Sequence, residues 1–186
     1  MAAIAVAGVG MMVMCSSSVA AAMMMGGEEK EDPIVPKTPV VPTLPSGQYV
    51  KLVQTSLTDV INLAELEVFA KAGTTNLAAG KTVTSSAFHP AGPLPHLVDG
   101  VITGYNFAHT MNEVADTEDS MLIDLGSVQE IEKIKITNRT DCCTERAIGI
   151  KVVILGADGT TVIKETTAIT TDAATYTFTF PGTAWV

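Results

Sequence analysis

Short runs of alternating or β-branched residues, with no convincing amphipathic helix between them, constrain this chain most. The runs lie at residues 49–54, 61–69, 121–126, 131–138, 148–156, 161–165 and 176–180. Such runs are typical of strands, and Asp158-Gly159 between two of them predicts a hairpin turn. Many short strands without crossover helices predict an all-β fold, an antiparallel β-sandwich. The stretch 76–119, rich in Gly, Pro, Thr and Ser, is then predicted to form loops at one end.

Composition divides the 186-residue chain into three parts. Residues 1–27 carry no charge and are mostly Ala, Val, Ile, Met and Gly. Residues 28–47 are acidic and then proline-rich, with proline at every third position from 33 to 45. Polyproline II has three residues per turn, so this part predicts a stiff spacer about 40 Å long; a docking motif for a proline-reading domain is the alternative. Residues 48–186 are long enough to bury one core and are predicted to form the sandwich.

The apolar leader, residues 1–27, is long enough to span a bilayer as a helix. A cleaved signal peptide is one reading, but the positively charged start is missing. A retained leader is favoured, either as a transmembrane anchor or as a segment packed among neighbouring structural proteins. The acidic residues that follow it are not a cytoplasmic positive flank, so a spanning leader would place the domain on the non-cytoplasmic side.

The net charge of −9 comes with only 11 basic residues and no basic run. This pattern does not favour nucleic acid as a partner. The carboxylates offer hard oxygen ligands to calcium. Three cysteines are too few for a disulfide framework, and one of them lies in the leader.

The segment NRTDCCTER, residues 138–146, contains both arginines of the chain. The planar forks of Arg139 and Arg146 suit the adjacent hydroxyls of a sugar, and Asp141 is close enough to orient them. A surface salt-bridge cluster is the structural alternative. Cys142 and Cys143 are either two free thiols or a vicinal disulfide that would stiffen the turn.

This segment resembles the signature of the F-type lectins, the fucose-binding branch of the galactose-binding domain-like, discoidin-like (coagulation factor 5/8 type C) jelly rolls. The signature is Arg, any residue, Asp, four residues, Arg, with vicinal cysteines inside it and a histidine upstream. NLAAGKTVTSS at 76–86, LVDG at 97–100 and AHT at 108–110 resemble further parts of the family pattern. The resemblance implies a jelly-roll β-sandwich that binds carbohydrate without catalysis.

The resemblance also implies roles for individual residues. His109, Arg139 and Arg146 would hold a sugar ring, Asp141 would orient the arginines, and a disulfide between Cys142 and Cys143 would pack against the apolar face of the sugar. A structural calcium would be bound by the side chains of Asp99, Glu65 and Asn106. Backbone carbonyls of His96 and Val101 would complete this set, with Ala64 as a further candidate.

Two functions compete. The first is a glycan-binding module, with a fucosylated glycan as the expected partner, anchored to a membrane or particle surface through residues 1–45. The second is a structural assembly protein that uses the sandwich as a docking block, because similar modules behind apolar leaders resemble minor capsid or virion proteins of large algal DNA viruses. An enzyme is the third hypothesis; we expect none, since no nucleophile with a base, carboxylate pair or phosphate loop is evident.

Overall fold

The computed structural model describes residues 43–85, 87–111 and 118–186. Eight strands lie in these residues: β1 (Ser46–Gln54), β2 (Asn62–Ala70), β3 (Thr82–Ser85), β4 (Ala108–His109), β5 (Ser120–Asn138), β6 (Ile150–Leu155), β7 (Val162–Glu165) and β8 (Thr175–Thr179). Two short 3₁₀ helices, Leu94–Val98 and Thr144–Ala147, are the only helical elements of the described residues. All strand pairs are antiparallel. The predicted all-β antiparallel architecture is confirmed.

Strand β5 joins the two layers of the sandwich. Its first part pairs with β1 and β3, and its second part pairs with β2 and β8. Strands β6 and β7 extend the first layer beyond β1, and β4 extends the second beyond β2. Because one strand runs through both layers, the chain forms a single curled sheet around its core.

The core lies between the inward faces of these layers. Leu52, Leu66, Ile123, Ile136 and Phe178 are among its fully buried side chains. The alternating runs in the sequence produce this core, because every second side chain of a strand points to the same face. Complete burial of each such side chain contributes roughly 1.5–3 kcal/mol.

The sequence pattern predicts two strands where the structure has the single strand β5. Residues 121–126 and 131–138 were expected to be two strands, but β5 continues across the polar residues between them. Ser46 and Gly47 of β1 pair with Glu130 and Gln129 there. Hydrogen bonding to β1 therefore keeps this exposed stretch extended although it has no apolar alternation.

The expectation that residues 76–119 form only loops was wrong in part. Strand β3 pairs with β5, and β4 pairs with the start of β2. Both are too short and too polar to give a periodic signal, and pairing with distant strands produces them. The predicted hairpin at Asp158-Gly159 is confirmed: β6 and β7 pair around it, and Gly159 has the left-handed φ of +70° that this turn requires.

The apolar leader and most of the proline-rich spacer lie outside the described residues. No helix among residues 43–85, 87–111 and 118–186 is long and apolar enough to cross a membrane. The last proline of the spacer is part of the folded domain, because the carbonyl of Pro45 accepts a hydrogen bond from the amide of Ile131 at 2.9 Å. Leu44 packs against the core, so the ordered sandwich begins slightly before the predicted boundary at residue 48.

Candidate functional site

Arg139 directly follows the last residue of β5 and is held in a fixed orientation. Its Nε donates to Oδ1 of Asp141 at 2.8 Å, and its Nη2 donates to Oδ2 at 2.6 Å. The guanidinium carbon also lies 3.8 Å from the centroid of the Phe107 ring. The paired guanidinium lowers the pKa of Asp141 to about 2. Since Arg139 is only 8% exposed, its fork is positioned before any ligand arrives.

Arg146 lies in the 3₁₀ helix Thr144–Ala147, whose backbone is tied to two strand ends. The side-chain amide of Gln54, at the end of β1, donates to the carbonyls of Arg146 and Ile148 at 2.9 and 3.1 Å. Asn138 at the end of β5 donates to the carbonyl of Thr144 at 2.9 Å. These buried amides hold the loop that carries both arginines.

Gly149 makes the Gln54 contact sterically feasible. It has a φ of +91°, and a Cβ at this position would lie 2.4 Å from Oε1 of Gln54. A side chain here would both strain the backbone and displace the amide that supports the loop. This loop of residues 139–146, the arginine loop, therefore depends on a glycine outside the NRTDCCTER segment.

Asn62 brings the two arginines together. This residue begins β2 and is completely buried. Hydrogen bonding requires its amide oxygen to face the guanidinium groups, and in that orientation it accepts from Nη1 of Arg139 and from Nη1 of Arg146, each at 3.3 Å. One buried oxygen thus positions both cations side by side, leaving further N–H groups of Arg146 available to a ligand.

His109 lies at the end of β4, beside the two arginines. Its Nδ1 hydrogen-bonds the carbonyl of Thr110; because a carbonyl only accepts, Nδ1 carries the proton and Nε2 is left as an acceptor. Burial, assisted by His89 and the two arginines, lowers the pKa of His109. The neutral ring therefore adds an acceptor to a site whose arginines supply donors.

Cys142 and Cys143 are free thiols in the structure. The structure therefore does not support the disulfide that the resemblance implies. Cys143 adopts a left-handed φ of +58° at the start of the 3₁₀ helix, and its hydrogen bond to Cys142 raises the pKa of the Cys142 thiol. Both side chains lie at the surface of the arginine loop, where they can contact a bound molecule as thiols.

The predicted calcium ligands fall into a connected group and two outlying members. The side-chain amide of Asn106 donates to both carboxylate oxygens of Asp99, at 3.0 and 3.1 Å, and to the carbonyl of Val101 at 2.7 Å. Glu65 joins them because its Oε2 accepts from the amide of Gly100 at 3.0 Å. No hydrogen bond of the described residues links His96 to this group.

Ala64 has a different relation to the group. Leu63 pairs with Asn138 and Glu65 pairs with Thr137, so Ala64 is the extra residue of a β-bulge in β2. A bulge leaves backbone groups of the extra residue outside the ladder. The bulge places Ala64 directly before Glu65 in β2, outside the regular pairing with β5.

The connected group fits a hard cation on two counts. Three acceptor oxygens converge on the Asn106 nitrogen, which has only two hydrogens to donate. In addition, Oε1 of Glu65 is buried without a hydrogen-bond partner, and burial raises the pKa of this carboxyl to about 7. No three His, Cys, Asp or Glu side chains cluster in the described residues, so a cation here would depend on amide and backbone oxygens as well, as calcium commonly does.

The structure adds three residues that the sequence pattern did not single out. Asn62 and Phe107 contact Arg139 directly, and the His89 ring lies 5.1 Å from the His109 ring, centroid to centroid. Asn62 is a polar residue at the start of an apolar run, and Phe107 precedes the Ala-His-Thr motif by one position. Neither position reveals the contact with Arg139, because Arg139 lies more than 30 positions away from both in the sequence.

Residues 96–185 match the family model described as NedA-like, galactose-binding domain, of the F5/F8 type C class. This segment contains His109, the arginine loop and Asp99, whereas Asn62 and Glu65 precede it. This match is consistent with a discoidin-like, galactose-binding domain-like module, and a domain of this class suggests carbohydrate binding. Searches of curated proteins and of solved structures gave no significant match.

Proposed function

We propose that the chain is a non-enzymatic lectin whose site consists of Arg139, Arg146, His109 and the adjacent thiols of Cys142 and Cys143. The observation that supports it best is the convergence of two guanidinium groups on the buried oxygen of Asn62. In an isolated salt bridge each arginine would face its own carboxylate. Here Arg139 is paired with Asp141, and no carboxylate among the described residues pairs with Arg146.

The arrangement matches the chemistry of a sugar edge. Free N–H groups of Arg146 donate to one hydroxyl and to the ring oxygen, while Nε2 of His109 accepts from a neighbouring hydroxyl. Complementary donors and acceptors that are fixed in advance reduce the entropic cost of binding. Phe107 lies under Arg139 rather than in the site, so the apolar face of the sugar would rest on the surface thiols. We propose a fucose-type monosaccharide as the ligand.

Calcium is proposed as the structural ion of this lectin. Asp99, Asn106 and Glu65 would hold it together with the carbonyls of Val101 and Ala64, and His96 would contribute its own carbonyl. The ion would fix the loop before β4 and thereby the position of His109. Its charge would also keep the buried Glu65 carboxyl ionised.

Ser46, at the start of β1, and the arginine loop lie at opposite ends of this strand, which supports display of the site. The chain enters the sandwich at Ser46, and Gln54 at the other end of β1 holds the Arg146 backbone. Nine residues of strand separate these points by about 26 Å. We propose that residues 1–45 attach the module to a membrane or particle surface. The same attachment would serve a virion or minor capsid protein.

Titration calorimetry with fucose, with and without calcium, tests the lectin proposal. We expect saturable binding that falls about tenfold in Arg146→Met, because hydrogen bonds to a charged donor are lost. Lys164→Met removes an exposed positive charge elsewhere and serves as the matched control; it should bind as the original chain does. Absence of binding to fucose and to a glycan array, with the fold intact, would refute the proposal.

A further inference from the structure

A second concave site lies on the outward face of the first layer, away from the arginine loop. It is a cleft of about 610 Å³ formed by side chains of β1, β3, β5, β6 and β7 together with the β6–β7 turn. This size is within the range of roughly 300–1,000 Å³ that small-molecule sites occupy. The cleft contains none of the residues assigned to the lectin site or to the proposed calcium site.

The floor of the cleft is apolar where a solvent-facing sheet would normally be polar. Val53, Val153 and Leu155 point outward from β1 and β6 yet are only 4–6% exposed, and Tyr49 and Leu122 pack against them. An antiparallel sheet with one wet face usually alternates apolar and polar residues. The outward face of β6 is therefore apolar although it does not face the core between the two layers.

Lys51 supplies an unpaired charge in this floor. The strand register places it directly between Val153 of β6 and Leu122 of β5. Its ammonium group makes no ion pair or hydrogen bond with any residue that the structure describes. The nearby Lys151, in contrast, is paired with Glu165 at 3.2 Å. An ammonium group without a partner on an apolar floor is complementary to one carboxylate of a ligand.

Polar side chains surround the apolar floor and limit which carboxylate-bearing ligands fit the cleft. Hydroxyl groups of Thr84, Ser85, Ser120 and Thr160 line the cleft, and the carboxylates of Glu118 and Glu165 lie with them. Hydroxyls and carboxylates of this kind bind sugar hydroxyls, but the two carboxylates repel further negative charge. The cleft is open rather than enclosed, whereas an aliphatic chain would need enclosure to lose contact with water.

A second copy of the chain is a poorer occupant. In a symmetric dimer the same face would meet itself, and two concave faces touch only at their rims. From the apolar floor, the single unpaired lysine and the hydroxyl-rich rim, we propose that this cleft binds a saccharide segment with one uronic acid flanked by neutral sugars. The uronic carboxylate pairs with Lys51, and the C–H face of the ring lies on Val153 and Leu122.

Calorimetry with a glucuronic-acid-substituted xylo-oligosaccharide tests this proposal. The matched ligand is the same oligosaccharide after reduction of its carboxyl group to an alcohol. We expect the acidic ligand to bind about tenfold more tightly than the reduced one, because only the former pairs with Lys51. Lys51→Met keeps the apolar stem and should abolish this preference.

Two controls separate the cleft from other effects. Lys71→Met removes an exposed charge at the end of β2 and should leave the preference unchanged, and so should Arg146→Met in the lectin site. Equal affinity for the two ligands in the original chain, or a preference that survives Lys51→Met, would overturn the proposal. If Arg146→Met rather than Lys51→Met removed the preference, the acidic ligand would be bound at the arginine loop and the cleft proposal would be wrong.

Discussion

The arginine loop and the loop of residues 99–106, the Asp99 loop, are both polar and both close to β2. Their charged and polar groups find partners in different ways. In the arginine loop, Asp141 pairs with Arg139, and Asn62 accepts from both guanidinium groups. In the Asp99 loop, a buried oxygen of Glu65 has no partner, and Asn106 faces more acceptors than it has hydrogens. Within the described residues, the arginine loop has N–H donors of Arg146 without a carboxylate partner, whereas the Asp99 loop has an excess of acceptor oxygens.

The two loops therefore contribute differently to binding: one to recognition of the ligand and the other to local stability. Arg139 is paired with Asp141 and stacked on Phe107, so its position does not require a ligand and it can support recognition. A buried carboxylate without a cation costs free energy, so it makes local stability depend on what it binds. The comparison predicts that changes in the arginine loop alter binding most, whereas changes at Glu65 alter stability through pH and calcium.

Arg139→Met should have the largest effect on the arginine loop. It removes the fork to Asp141, the bond to Asn62 and the contact with Phe107 together. We expect the free energy of unfolding to fall by about 2 kcal/mol and fucose affinity to fall by about 100-fold, measured by urea denaturation and calorimetry. Arg139→Lys restores the charge without the fork and should recover stability only in part. Undiminished binding in Arg139→Met would show that Arg139 does not organise the site.

The pH dependence of stability tests the role of the buried Glu65 carboxyl in the Asp99 loop. The folded pKa of Glu65, about 7, lies above its ordinary value of 4.5. The stability linked to protonated Glu65 is therefore fully present below pH 4.5 and is lost as the pH rises through 7. Without calcium, we expect a loss on the order of 2 kcal/mol between pH 5 and pH 8 relative to Glu65→Gln.

Calcium should reduce that loss, because the ion favours the ionised carboxylate. Urea denaturation of both variants at pH 5 and pH 8, with calcium or with a chelator, separates the contributions. Glu65→Gln should show neither the pH-dependent loss nor its rescue. Equal pH profiles for the two proteins would show that Glu65 is not a strained buried acid.

The smallest expected effect concerns His109. Burial lowers its pKa below 6.5, so the ring stays neutral at pH values where an exposed histidine becomes charged. Fucose affinity should change by less than about twofold between pH 7.5 and pH 6.5, and should decline only below that range as Nε2 gains a proton. His109→Gln retains an acceptor and should remove the decline. A steep loss already at pH 6.5 would contradict the assigned protonation state.

The sequence predicted most of the fold because alternation reports burial directly. Strands β1, β2, β6, β7 and β8 coincide with apolar or alternating runs, and Asp158-Gly159 predicted its turn from local conformational preference. Strand β3 and the continuity of β5 were not predicted, because hydrogen bonds to distant strands determine them. The same limit applies to the site: Arg139 and Asp141 lie two positions apart and could be paired by inspection, whereas Phe107 and Asn62 could not.

Local patterns and composition are enough to predict the strand-forming segments, to show that the sequence has no basic run and to locate both arginines in one short loop. These are local or compositional properties that need no knowledge of neighbours. Only the folded structure shows that Asn62 joins the two arginines, that Glu65 faces the Asp99 loop and that Lys51 lies in an apolar cleft without an ion-pair partner among the described residues. Each of these depends on strand register, which brings together residues far apart in the chain and so leaves no trace in local sequence.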